Sequence, residues 1–162
     1  MKPPIPQSYW VAERFAAGEY PGAPLLDDAR AKLEALAGID TFVDLTDAND
    51  LLEPYEHLLP TGSRRIAIPL QDLSVPPPEV MVEVLDTIDE ELAAGRTVYL
   101  HCWGGIGRTG TVVGCWLVRH GMDGPDALIR VSDLIRTTPK HWRAAPETSE
   151  QRDAIRTWPP GR

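Results

Sequence analysis

The sequence predicts an α/β fold: a single compact domain with a central, mostly parallel sheet of four to five strands flanked by helices. Three observations predict it. Short runs rich in β-branched residues alternate with longer segments of helical spacing, the pattern of strands joined by crossover helices. The run TVYLHC, residues 97–102, is apolar without strict alternation, as in a strand covered on both faces. The 16 prolines cluster at the N-terminus, at 76–78 and at 159–160, where they punctuate the elements.

In chain order, SYWV (8–11) reads as a short strand and Pro21-Gly22 as a turn. Residues 25–37, LLDDARAKLEALA, place Leu25, Leu26, Ala29, Leu33, Leu36 and Ala37 on one helical stripe that Gly38 ends. TFVDL (41–45) and RIAIPL (65–70) read as strands. Pro76, Pro77 and Pro78 lead into a helix reaching about Ala94, its apolar face Val80, Val84, Leu85, Ile88 and Leu92, with Gly95 as its stop. Strand 97–102 follows, then helices at about 108–120, 126–136 and 149–158. No repeat, low-complexity tract or linker divides the 162 residues, so one domain spans 1–162, with residues 1–24 as its entry segment and 98–118 as its strand-loop-helix core.

Composition narrows the partners. With 43% apolar and 25% charged residues the chain is an ordinary soluble globule. No run approaches the ~18 apolar residues of a membrane span, and MKPPIPQSYW lacks a signal-peptide core. Two cysteines make no disulfide framework, so a reducing, cytoplasmic setting and a monomer are expected. A net charge of −8 argues against bulk nucleic-acid binding. The charge is uneven: residues 1–100 hold 7 Lys/Arg and 18 Asp/Glu, whereas residues 101–162 hold 9 and 6.

The second part contains VYLHCWGGIGRTGTVVGCWLV, residues 98–118. Gly105 to Gly110 spells G-x-G-x-x-G at a strand-to-helix turn. A dinucleotide fold would need an acid ending the next strand ~20 residues on, and the segment after this helix has helical spacing instead. No Gly-Lys-Ser/Thr follows, which excludes a Walker loop.

Counting from the cysteine gives H-C-x5-R-T. Glycines let successive N–H groups curl inward as an anion nest, the following helix adds its positive end, and Arg108 can fork onto phosphate oxygens. Trp103, Gly104, Gly105, Ile106 and Gly107 are then the loop that binds the phosphate. Cys102 sits at the floor of that nest, where N–H groups and a helix end favour a thiolate. Thr109 can offer its hydroxyl to the sulfur, and His101 can order the loop from behind.

H-C-W-G-G-I-G-R-T-G resembles the signature loop of the cysteine-dependent protein tyrosine and dual-specificity phosphatases. The form Cys-aromatic-Gly-Gly-x-Gly-Arg looks most like that of the kinase-associated phosphatase and its compact bacterial relatives. The resemblance implies Cys102 as nucleophile, Arg108 as phosphate ligand, a phosphocysteine intermediate, no metal and no cofactor. It also implies an upstream general acid on a loop. IPLQDLSVPPPEV supplies Asp72, with Asp44, Asp47 and Asp50 as fallbacks in a more acidic, solvated stretch. A glutamine near the C-terminus positions water in the wider family. Gln151 fits that place, yet Thr148-Ser149-Glu150-Gln151 is also a capping box, and both readings stand.

The remaining candidates read structurally. Cys115 is a core thiol. His57, His120 and His141 have no metal-ligand spacing. RTTPKHWR (136–143) reads as a solvated loop, with a grip on acidic substrate as the alternative. Tyr9, Trp10 and Tyr20 either line the pocket mouth or pack an edge strand. The loop carries no lysine, which disfavours a multiply phosphorylated lipid headgroup. The expected substrate is therefore a phosphorylated protein or peptide, or another phosphomonoester such as a nucleotide, an RNA end or a lipid. A binding module without turnover, or sulfur or arsenate chemistry, is the rival class.

Overall fold

The strands meet in the order β1-β2-β5-β3-β4 in a computed structural model that describes residues 1–162. They are β1 (Ser8–Ala12), β2 (Phe15–Gly18), β3 (Thr41–Asp44), β4 (Arg64–Ala67) and β5 (Val98–His101). β1 pairs antiparallel with β2, and every other pairing is parallel. Helices α1 (Leu26–Ala35), α2 (Pro78–Ala93), α3 (Gly107–Arg119), α4 (Gly124–Arg136) and α5 (Ser149–Thr157) cover the two faces. No helix is long and apolar enough to cross a membrane.

The period-2 alternation of a strand splits the core in two. Phe15, Ala17, Val43, Val98 and Leu100 point to one face and join residues of α2, α3, α4 and α5. Ala16, Phe42 and Tyr99 point to the other and meet Leu33 and Leu36 from the α1 region, with Ile39 and Tyr55. The central strand β5 is wholly buried, as its unbroken apolar run predicts.

Three readings are corrected. FAAG (15–18) is a strand, although small residues gave no β signal: its backbone groups complete the ladder between β1 and β5. Leu25 and Leu26 are exposed, as is Ala37, because α1 turns Ala29 and Leu33 toward the sheet. On α2, Met81 is buried beside Val84, Leu85 and Ile88, while Val80 and Leu92 are only half-buried.

Register fixes the site. Gly18, His101 and Asp44 pair across neighbouring strands, so three parallel strands end in one row. In open α/β sheets that carboxyl edge is where ligands bind.

Candidate active site

The loop leaving β5 begins at Cys102, runs through glycines and enters α3 at Gly107. Gly105 has φ +73°, a left-handed conformation in which glycine carries no steric cost. A side chain there would also strike the end of β2, within 2.7 Å of the Gly18 carbonyl oxygen. This turn aims the Gly105 N–H at the Cys102 sulfur, 3.3 Å away. The thiol is buried, 3% exposed, and lines a cleft of about 260 Å³ with Asp72, Leu73, Trp103, Ile106 and Arg108. Gly107 packs against the Glu147 carboxylate and the Gln151 amide, whereas Trp103 stands on the rim, 61% exposed.

Behind the loop, His101 has no exposed surface. Its Nδ1 lies 3.2 Å from the Cys102 carbonyl and its Nε2 2.7 Å from the Tyr55 hydroxyl. A carbonyl only accepts, so Nδ1 carries the proton and Nε2 accepts from Tyr55. Burial pushes the imidazole pKa down against the opposing pull of Asp44, which keeps the ring neutral. The bond engages the Cys102 carbonyl behind the loop, and the Gly105 N–H is turned to the sulfur.

Asp44 lies 3.7 Å from His101 Nδ1 and accepts from Arg65 Nε at 2.7 Å and from both the N–H and hydroxyl of Thr46. Burial pushes its carboxyl up, but His101, Thr46 and Arg65 together hold it below the ordinary range. It is structural support, committed on every side.

Arg108 is the largest wholly buried side chain. Its Nη1 and Nη2 donate to the two carboxylate oxygens of Asp50 at 2.8 and 2.9 Å, and Nη1 also donates to the Leu70 carbonyl at 3.2 Å. Nε has no hydrogen-bond partner; Asp72 Oδ1 stands 3.4 Å away. Burial alone would lower the guanidinium pKa, and Asp50, Cys102 and Asp72 reverse that. Asp50 thus stands not in a solvated stretch but with its side chain 6% exposed, capping the short turn Ala48–Asp50 through the Asp47 N–H. The same bonds to Arg108 and Asp47 outweigh its own burial and depress its pKa. The acidic composition of DAND hid this role, and no local signal points to a partner so distant in sequence.

Asp72 sits on the loop between β4 and α2, about half exposed, with Oδ1 accepting from the Leu73 N–H at 2.9 Å. Leu73 has φ +59°, an uncommon conformation for a branched residue. Asp72 therefore makes the local turn bond and also faces the cleft. Gln151 is wholly buried: its Oε1 accepts from the Thr148 N–H and its Nε2 donates to the Ser74 carbonyl at 3.3 Å. The capping box is formed, and the same amide ties the Asp72 loop to α5. It does not line the cleft. Thr109 is buried, its hydroxyl without a partner.

Of the remaining residues, Tyr9 is buried with an unpartnered hydroxyl, and its pKa is raised first by burial and then by the charge of Cys102. Trp10 bonds Lys2, and Tyr20 donates to the Glu53 carbonyl, away from the cleft. Burial raises the Cys115 thiol to about 12, an inert core position. The segment 136–143 is a largely exposed loop, as read, and its Lys140 and Arg143 also line the cleft. A larger cavity of about 530 Å³ lies near Asp44 and Tyr55. It holds no nucleophile, and its cation, Arg65, is already paired.

This geometry agrees with the comparisons. Residues 21–122, more than half of the chain, match the family described as Tc-R-P, polymorphic toxin system, DSP-PTPase phosphatase. The chain belongs to this phosphatase family. Its fold matches Tk-PTP in the active form at TM-score 0.75 and 28% identity, over 93% of this chain and 94% of that one. It also matches the kinase associated phosphatase at 0.72 and 18% identity, over 96% and 93%. Among curated relatives, the putative tyrosine phosphatase 067L of Invertebrate iridescent virus 3 is 31% identical over 68% of this chain and 45% of its own. The phosphatidylglycerophosphate phosphatase PTPMT1 of Arabidopsis thaliana is 33% identical over 48% and 25%. The phosphatase chain spans between a quarter and about half the length of such relatives.

Proposed function

We propose that this phosphatase hydrolyses protein phosphomonoesters, phosphotyrosine or phosphoserine/threonine, through a phosphocysteine. One observation carries the reading. Asp50 holds the end-on fork of Arg108, Nη1 and Nη2, while the unpartnered Nε and the second Nη2 proton form the side-on fork. That free edge borders the cleft shared by Cys102 and Asp72, where a planar guanidinium suits two phosphate oxygens.

In this reading the Cys102 thiolate attacks phosphorus in line and the ester P–O bond breaks. Asp72, protonated, gives its proton to the departing oxygen. Loop N–H groups, the α3 N-terminus and Arg108 hold the equatorial oxygens as charge spreads over them. Water then attacks the phosphocysteine, Asp72 takes its proton, and the S–P bond breaks, with Thr109 donating to the leaving thiolate. Neutral His101 fixes the loop throughout. Gln151, whose amide packs against Gly107 of the signature loop as well as capping α5, positions water for the second step. The loop's lack of lysine is what favours a protein ester over the lipid phosphate named for the Arabidopsis relative.

Cys102→Ser abolishes hydrolysis of an aryl phosphate while retaining phosphate binding; full activity in that variant refutes the mechanism. Asp72→Asn lowers turnover by ~10²–10⁴ for poor leaving groups and less for good ones. A small, uniform loss assigns the acid to another residue.

A further inference from the structure

The segment between α4 and α5 is tied over the signature loop by a buried amide. Gln7, 3% exposed, donates from Nε2 to Thr138 Oγ1 at 3.0 Å, and its Oε1 accepts the Lys140 N–H at 3.1 Å. Its own carbonyl accepts the Glu19 N–H at 2.9 Å. The clamp is thereby fixed to the chain leaving β2, against which Gly105 packs.

The consequence is a cation at the mouth of the cleft. Lys140 Nζ lies 3.4 Å from where a side chain on Gly104 would begin, so the bare glycine leaves it room. Arg143 stands on the same wall but is paired with Glu147 at 3.0 Å and lies against the Trp142 ring. Lys140 forms no ion pair, in a chain of net charge −8. Across the cleft, Trp103 is a wall shared with a second groove of about 310 Å³, floored by Ala23, Pro24, Leu51 and Leu52. Glu53 and the Lys32–Glu19 pair border that far groove, which gives it no free cation.

We infer that the site selects an extended phosphopeptide with an acidic residue beside the phosphorylated one, its carboxylate on Lys140 and its other flank over Trp103. This deepens the phosphatase reading and rests on it. A cleft and a second groove that share Trp103 as a wall suit an extended chain, and a single free rim lysine suits one carboxylate rather than a clustered polyphosphate. The carboxylate belongs at the Lys140 end, because Glu53 repels it at the other.

The test uses the Cys102→Ser protein and two fluorescent phosphotyrosyl peptides identical except for aspartates or asparagines beside the phosphotyrosine. The aspartate peptide binds tighter, roughly three- to tenfold, with the margin shrinking at high salt. Adding Lys140→Ala removes the preference, and Lys140→Glu reverses it; circular dichroism confirms folding. Equal affinities in the Lys140-containing protein, or a preference surviving Lys140→Ala, overturn the inference. Tighter capture by phosphatidylcholine vesicles containing phosphatidylinositol phosphate overturns it too. Hydrolysis of aryl phosphate by the unaltered chain is measured separately: its absence refutes the phosphatase reading, while an intact aspartate preference still supports the subsite.

Discussion

Asp50→Asn isolates the Arg108 clamp with almost no change in shape. In the native chain, Asp50 Oδ2 accepts from Arg108 Nη1 and the Asp47 N–H, and Oδ1 accepts from Nη2. An asparagine keeps one oxygen, which serves Asp47 and Nη1. Its amide nitrogen then confronts Nη2, donor against donor, and the charge is gone. Breaking a buried pair costs about 3–5 kcal/mol. One retained bond, the Leu70 carbonyl and nearby Asp72 recover part of this, so about 2–3 kcal/mol is expected. For a domain of this size that is a fall in Tm of about 5–10 °C. Turnover suffers separately, because the fork that must meet the phosphate loses its anchor, and a displacement near 1 Å costs about 10²-fold. Phosphate affinity falls far less than kcat, since the guanidinium keeps its charge and is released from a competing carboxylate. Thermal unfolding, aryl phosphate kinetics and phosphate inhibition read the three quantities. Wild-type Tm and kcat in Asp50→Asn would refute the assigned clamp.

Other perturbations probe the supports. Gly105→Ala forces a left-handed φ on alanine and drives its methyl into the Gly18 backbone; stability falls by at least ~1 kcal/mol and hydrolysis is lost, whereas unchanged kinetics would discount the turn. Asp44, Asp50 and Glu91 are all held below their ordinary pKa. Below about pH 5 the unfolded chain therefore binds more protons than the folded one, so the stabilisation is complete above about pH 5 and lost as pH falls through the folded values. A plot of Tm against pH is flat near neutrality and drops on the acid side, with a shallower drop in Asp44→Asn; an unchanged slope in that variant contradicts the assignment. Gln151→Ala removes a cap bond and the tie to Ser74, costing about 0.5–2 kcal/mol and slowing poor leaving groups most. Accumulation of phosphocysteine in this variant supports the water-positioning role, and its absence leaves the cap and the loop tie as the residue's work.

How much of this was legible depends on sequence distance. His101, Cys102, Arg108 and Thr109 fall within nine residues, so their spacing displayed the motif and its strand-loop-helix setting. β5 and α2 were legible because burial leaves a periodic imprint on composition. β2 was not: FAAG has no imprint, and its strand identity comes from β1 and β5 alongside it. Asp50 and Arg108 are far apart, and an aspartate among Asp47 and Asn49 looks solvated until the fold brings a guanidinium to it. The placement of Lys140 at the cleft was illegible for the same reason. Nothing in RTTPKHWR reveals that Gln7, from the other end of the chain, holds it over Gly104.

The unsatisfied groups argue for function more strongly than the satisfied ones. The buried side-chain nitrogen or oxygen atoms that lack a hydrogen-bond partner are Tyr9 Oη, Arg108 Nε and Thr109 Oγ1. Arg108 and Thr109 end the signature loop, and Tyr9 lies close enough to Cys102 for the sulfur's charge to act on it. A buried donor without a partner in the protein is one that a bound group can satisfy. Elsewhere the same molecule satisfies its buried polar side chains carefully: His101 at both nitrogens, Gln7 and Gln151 at both ends of their amides. Two hydroxyls and a guanidinium N–H, all donors, are without such a partner, and Arg108 lines the cleft together with Cys102. A thiolate and a bound phosphoryl group are the species that would use them, and binding would recover what folding left unpaired.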